Sequence, residues 1–329
     1  MLFYYERYLR SEGLQAGFEF QAKKWPVNVE ERHISLLREA ITALYGDTPT
    51  GDMAERRFCL RNFGGTLHAS VFCVADLRKD GYNRIGTVAD LVLCIPENQQ
   101  ETELELDAEK MFGLMKRADF PLGQSQRWHP EKIPVAGTGI PRKESADDAF
   151  CLSMGKEVLL VLDAHPETVV ETLAEDLRRA LPSEARCGFS FVTAAVDWPR
   201  LLENGMFSLV GVQDSEEAAG RLAAMQHRGR EICWIRPSAG QKKLPQPQGG
   251  GMDYLRRVYP VLVQKGMQDE MVASGQWLYA SGLVDKEQTV SRSALCAAGL
   301  MLRAARSGES ALYPTQGEKE KIAVTLGVR

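Results

Sequence analysis

Between Glu157 and Ile235 the chain switches period at regular intervals, and that rhythm restricts its possible folds more than any other feature. EVLLVLD (157–163) is a continuous apolar run ending in Asp163, the pattern of a strand buried on both faces. Pro166 then opens a helix carrying Val170, Leu173, Leu177 and Leu181. RCGFSFV (186–192), MFSLVGV (206–212) and EICWI (231–235) read as further strands. Helices over WPRLLENG (198–205) and DSEEAAGRLAAMQH (214–227) separate them. Such alternation predicts a small, mostly parallel sheet covered by helices.

The residues before it mix the two periods. LFYYERY (2–8) and GFEFQA (17–22) suit strands, and Asn28 with Glu31 starts a helix whose apolar stripe is Ile34, Leu37, Ile41 and Leu44. RRFCLRNF (56–63), TLHASVFCVA (66–75) and VADLVLCI (88–95) are expected strands. The last is apolar on both faces apart from Asp90, which places it near the centre of a sheet. Leu104, Ala108, Met111 and Met115 predict a helix within 101–117, whereas 119–148 lacks periodicity and reads as a long loop or connection. PSAGQKKLPQPQGGG (237–251) has the composition of a linker. The residues after it read as helical, with Gly299 among alanines marking a close helix contact.

The expected architecture is therefore α/β. It comprises a mixed α+β N-terminal domain (1–147), a small mostly parallel α/β middle domain (148–236), a linker (237–251) and a helical C-terminal region (252–329). A length of 329 residues agrees with more than one domain. A net charge of -4 argues against a general nucleic-acid binder. Glu6, Arg7 and Arg10 interrupt any signal-peptide core, and the apolar runs at 157–163 and 294–302 are too short to span a bilayer. The seven scattered cysteines resemble reduced, packed thiols, so the expected location is the cytoplasm.

Motifs with a defined chemistry are missing. VLLVLD resembles a Walker B strand, but no G-x-x-x-x-G-K-[ST] string accompanies it, and Asp163 reads as a strand terminator that helps start the next helix. There is no C-x-x-C, H-E-x-x-H or G-x-S-x-G, and Cys73 and Cys94 sit mid-strand as core filler. No metal or cofactor is expected. Two basic segments stand out. One is the turn Arg78-Lys79-Asp80-Gly81-Tyr82-Asn83-Arg84, a hairpin tip in which Gly81 permits positive φ. The other is the loop around Arg127 and Trp128, which reads as solvated but offers a cation beside an aromatic ring.

GLQAGFEFQA (13–22), DGYNRIGTVADLVL (80–93), LPSEARCGFSFVT (181–193) and FSLVGV (207–212) occur in an order that resembles the GTPase-associated protein family of bacterial conflict operons. In that family a Gly-Arg turn, a strand that often carries His and a Ser-Phe-x-Thr strand follow one another. Here Asn83-Arg84-Ile85-Gly86-Thr87 stands at the turn and Asp90 replaces the His, so no role that needs an imidazole carries over. The resemblance covers about the first two thirds of the chain and does not reach 252–329. It implies a non-enzymatic accessory or adaptor subunit in anti-phage defence, with a GTPase or other NTPase of the same operon as protein partner. The turn residues Arg78, Lys79, Asp80, Tyr82 and Arg84, with Arg127 and Trp128, are then the candidate docking residues. The alternative is a hydrolase or nucleotide-processing enzyme whose site assembles from distant residues, Asp163 among them.

Overall fold

Side-chain alternation gives β1 (Leu2–Ser11) two different faces. Tyr4, Glu6, Tyr8 and Arg10 are buried on one, while Tyr5, Arg7 and Leu9 are half-buried or exposed on the other. The structure is a computed structural model that describes residues 1–11, 18–22, 24–26, 28–46, 54–61, 69–79, 85–97, 106–117, 120–127, 145–155, 158–228, 232–244, 251–281 and 291–326. The fold is α/β, as the strand–helix rhythm requires.

The remaining strands are β2 (Phe18–Phe20), β3 (Arg56–Arg61), β4 (Ser70–Lys79), β5 (Ile85–Ile95), β6 (Ser125–Arg127), β7 (Leu159–Asp163), β8 (Phe191–Val192), β9 (Leu209–Gln213), β10 (Cys233–Arg236) and β11 (Gln241–Lys243). They form one sheet in the order β11-β10-β7-β9-β8-β3-β4-β5-β1-β2, with β6 also on β1. β10, β7, β9 and β8 pair in parallel, whereas β3, β4, β5 and β1 run antiparallel. The apolar strand β5 lies inside the sheet between β4 and β1, as its two buried faces predict.

The two halves join at β3 and β8, where Phe58 faces Val192 and Cys59 faces Phe191 in antiparallel register. A boundary at 147/148 therefore separates strands that belong to one continuous sheet. The compact units follow different lines. The first comprises Met1–Gly137, Val158–Ala174 and Cys187–Lys243; the second comprises Thr138–Glu157, Glu175–Arg186 and Leu244–Arg329.

In the first unit, α1 (Glu31–Tyr45) buries Ile34, Leu37, Ile41 and Leu44 in the core that includes Phe58, Val71, Cys73, Leu91 and Leu93. The Tyr45 hydroxyl donates to the Ala75 carbonyl at 2.8 Å, tying that helix to β4. On the opposite sheet face, α2 (Ala108–Met115) sets Phe112 edge-on to Phe72 and Phe191, at 6.0 and 6.4 Å between centroids. α6 (Trp198–Asn204) and α7 (Glu216–His227) also belong to the first unit, α3 (Ser145–Gly155) and α5 (Ser183–Arg186) belong to the second, and α4 (Pro166–Ala180) is divided between them after Ala174.

Several local expectations shift. β4 starts at Ser70 and runs past the expected end at 75 to Lys79, residues 66–68 of the expected strand lying outside the described residues. α5 occupies the start of the 186–192 run, leaving β8 two residues. β6 and the start of α3 fall within 119–148, read from sequence as a loop. In the expected linker, Pro237–Ala239 makes a 3-10 turn and Gln241–Lys243 pairs with Trp234–Arg236. Its first seven residues thus finish the sheet edge, because backbone pairing needs no apolar side chains.

In the second unit, α8 (Met252–Gln264), α9 (Asp269–Ala280), α10 (Arg292–Ser307) and α11 (Gln316–Thr325) supply the helical region read from the sequence. Tyr254 and Tyr259 are buried, and their hydroxyls donate to the Leu312 and Ala180 carbonyls at 2.8 and 2.6 Å. Gly299 marks a close helix contact, as expected: a Cβ there would lie 2.3 Å from the Ser274 carbonyl oxygen. No described helix is long and apolar enough to cross a membrane.

Candidate functional site

The antiparallel half of the sheet is covered differently at its two ends. Toward Phe72, Val92 and Cys94 both faces are buried, with Phe112 of α2 against Phe72. Toward Lys79 and Ile85, Thr87, Ala89, Ala75 and Leu77 remain buried on the α1 side, while their alternating neighbours emerge. Leu9 is 36% exposed, Arg78 and Lys79 are exposed, and Arg7, Val74, Asp76, Val88 and Asp90 are half-buried. Cross-strand register brings Leu9, Val88 and Asp76 into one row and Arg7, Asp90 and Val74 into the next.

Asp90 is the chemical centre of this patch. A carboxylate in the middle of an apolar strand needs partners to offset its desolvation, and β1 supplies two. Arg7 donates through Nε to Oδ1 at 2.6 Å and through Nη2 to Oδ2 at 3.2 Å, and the Tyr5 hydroxyl donates to Oδ1 at 2.6 Å. The bond to Asp90 holds the Arg7 guanidinium above its ordinary range, while burial, followed by the carboxylate, pushes the Tyr5 phenol up. Phe120 stacks on Tyr5 at 5.9 Å. Sequence reading singled out Asp90 but missed Arg7 and Tyr5. The available signal was the lone acid of β5, which demands a cation on a neighbouring strand.

Glu6, on the other face of β1, is fully buried. Its Oε1 accepts the backbone N–H groups of Arg7 and Ala22 at 2.9 and 2.8 Å. Tyr4 donates to the Lys24 carbonyl at 2.9 Å and lies 3.2 Å from Glu6 Oε2. Burial raises the Glu6 carboxyl above its ordinary value despite these contacts. Glu6 therefore holds the segment after β2 against β1 and leaves the open face free of that segment.

The sequence-derived docking residues separate. Arg78 makes a two-point contact with Asp76 on its own strand, Nε–Oδ1 at 2.9 Å and Nη2–Oδ2 at 3.0 Å. Lys79 has no ion-pair partner among the described residues. Arg127 on β6 reaches Glu97 at 2.7 Å, and Glu97 also receives the Met1 amine at 3.2 Å. Arg127 sits opposite Leu2, whereas Arg78 lies in the row of Gly86 and Ser11. These rows are about 30 Å apart at the usual strand rise, so Arg127 and Arg78 belong to different places. Asp80, Tyr82, Arg84 and Trp128 lie outside the described residues.

The parallel half offers the setting for the enzyme alternative. From β7 the chain crosses β9 to reach β8, and from β9 it crosses β7 to reach β10, so connections leave β7 and β9 in opposite directions. The carboxyl ends of such strands are where open α/β sheets tend to bind ligands. A cleft of about 160 Å³ lies there, with Arg56, Glu167, Gln213, Ser215, Glu217 and Arg221 as its polar lining. Arg56 bonds the Leu44 carbonyl and stacks 4.6 Å from the Tyr45 ring. Ser215 caps α7 by accepting from the Ala218 N–H. Asp163 is absent from the lining. Its Oδ1 accepts the His165 N–H at 3.0 Å and its carbonyl accepts the Asp214 N–H at 2.8 Å, the turn-making role read from the sequence. Cys73 and Cys94 are fully buried, and burial pushes both thiols well up, so they pack as core.

Comparison of the chain with models of known families gives no match, and comparison with curated proteins gives none.

Proposed function

We propose that this protein is a non-enzymatic accessory or adaptor subunit that works by protein–protein association. Its partner is a GTPase or other NTPase of a bacterial conflict system, as the family resemblance implies. The observation that supports association is the half-open sheet face on β1, β5 and β4. There Leu9 and Val88 form an apolar strip between the Arg7–Asp90 and Arg78–Asp76 pairs. Ion pairs beside an apolar strip fix orientation, while the strip supplies the burial energy.

The test is affinity capture of the full chain from its native host with wild type, Leu9→Ser and the Arg78→Ala/Lys79→Ala double variant. A shared NTPase partner should be depleted about tenfold by Leu9→Ser, and by the double variant mainly at low salt. Equal recovery by all three at every salt would remove this face from the proposal.

A hydrolase or nucleotide-processing enzyme is the second reading, favoured by the cleft at the ends of β8 and β9. It requires saturable nucleotide binding that Gln213→Ala weakens, and isothermal titration of the full chain with ATP and GTP would detect it.

A further inference from the structure

The second unit carries a surface groove between α9 and α10. Helical spacing puts Glu270, Ala273, Ser274 and Trp277 on one stripe of α9, and Gly299, Leu302, Arg303 and Arg306 on one stripe of α10. These residues line a groove of about 470 Å³. Its depth has a backbone cause. At Gly299 the helices approach until a Cβ would stand 2.3 Å from the Ser274 carbonyl oxygen, and at Gly275 a Cβ would stand 2.9 Å from Cys296 Sγ. Small residues bring the axes together at the floor, and the longer side chains on either side become walls.

Those walls are apolar and open. Trp277 is 38% exposed and Leu302 is 42% exposed, and both line the groove. Scattered exposed apolar residues are ordinary, but a large aromatic and a leucine sharing one groove mark a binding surface. The charges on the rim are unequal. Arg303 is ion-paired with Glu270, whereas Arg306 lies with its guanidinium carbon 5.0 Å from the Trp277 ring centroid and has no carboxylate partner among the described residues. Stacking on the indole orients the guanidinium while leaving its N–H fork able to take a carboxylate in two-point fashion.

We infer that this groove binds an acidic amphipathic helix of a partner protein, with a large apolar side chain on Trp277 and Leu302 and a carboxylate on Arg306. In a helix these two groups stand on one face when three or four residues apart, the usual pattern of helix-in-groove recognition. A polyanion fits less well. Among the described residues of the groove one guanidinium is uncommitted, and on a chain of net charge -4 it provides little of the basic footprint that nucleic acid or an anionic membrane requires. The inference is independent of the sheet-face reading, since its residues belong to the other compact unit.

A phage-displayed library of random twelve-residue peptides, panned against the full chain, tests it. Enriched peptides should carry a large apolar residue with Asp or Glu three or four positions away. Their affinity should fall about tenfold or more with Trp277→Ala and remain unchanged in Arg78→Ala/Lys79→Ala. Arg306→Glu, a surface change that leaves the helix contact intact, should reverse the preference, so that Lys-substituted peptides bind better than the acidic originals. Enriched peptides without acidic residues, or binding indifferent to both Trp277→Ala and Arg306→Glu, would overturn the inference. Phosphatidylserine vesicles or a single-stranded oligonucleotide binding with the same dependence on these residues would replace the protein partner with a polyanion. A dimer on size-exclusion chromatography that Trp277→Ala dissociates would assign the groove to a second copy of this chain.

Discussion

Arg7 on β1 reaches across to Asp90 on β5 and closes a two-point ion pair, Nε to Oδ1 at 2.6 Å and Nη2 to Oδ2 at 3.2 Å. Strand register places this charged contact at the middle of the open sheet face, because Arg7 and Asp90 are direct cross-strand partners. Both side chains keep partial access to water, 41% and 26%, so solvent screens the pair and its contribution is modest. A double-mutant cycle with Arg7→Met and Asp90→Asn should give a coupling of about 1 kcal/mol in urea denaturation. A coupling near zero would mean that Tyr5 alone satisfies Asp90.

Glu6 predicts a pH effect of definite sign. Its folded-state pKa is raised, chiefly by burial, so ionising it costs the folded state more than the unfolded one. That penalty is missing below the unfolded value, grows as pH rises through the folded value, and persists above it. Glu6→Gln keeps a carbonyl to accept the Arg7 and Ala22 N–H groups and removes the charge. Its Tm relative to wild type should therefore rise between pH 4 and pH 7. Glu6→Ala should instead cost about 2 kcal/mol at either pH by stranding buried N–H donors. Parallel pH profiles for Glu6→Gln and wild type would contradict the assignment.

His33 should act in the opposite pH direction. Its Nδ1 accepts the Glu30 backbone N–H at 3.0 Å at the start of α1, and burial lowers its pKa. The neutral ring is the stabilising form. Its contribution is complete above the unfolded value of about 6.5 and is lost as pH falls through that value toward the folded one. Wild type should lose more Tm than His33→Gln between pH 7.5 and pH 5.5, and differential scanning calorimetry would show whether it does.

Two glycines should respond oppositely to alanine. A Cβ on Gly211 in β9 would lie 1.8 Å from the Thr193 carbonyl oxygen, and backbone cannot swing aside as a side chain can. Gly211→Ala should cost about 3 kcal/mol and disturb the β8–β9 pairing. Gly220 in α7 has nothing within 4 Å of its added Cβ, so Gly220→Ala should stabilise by about 0.5–1 kcal/mol. Chemical denaturation of the two variants separates these outcomes cleanly; a mild Gly211→Ala would show that the strands can part at Thr193.

Local sequence determined which segments became helices and strands, because period and burial act within a few residues. Ile34, Leu37, Ile41 and Leu44 already marked the buried stripe of α1, the two apolar faces of β5 marked an interior strand, and Gly299 marked the helix contact. Strand partnership was another matter. Backbone N–H and C=O groups are chemically alike along every strand, so nothing in Phe58 or Cys59 names Val192 and Phe191 as neighbours. Only the tertiary fold decided that β3 meets β8, that residues expected in two domains share one sheet, and that the edge residues Gln241–Lys243 extend it. The same holds for the surfaces. Asp90 announced by its charge that it needed a partner, but register across two antiparallel strands chose Arg7 and Tyr5. Trp277 and Leu302 lie in the region read only as helical, and it is the approach of Ser274 to Gly299 that sets them on one open groove.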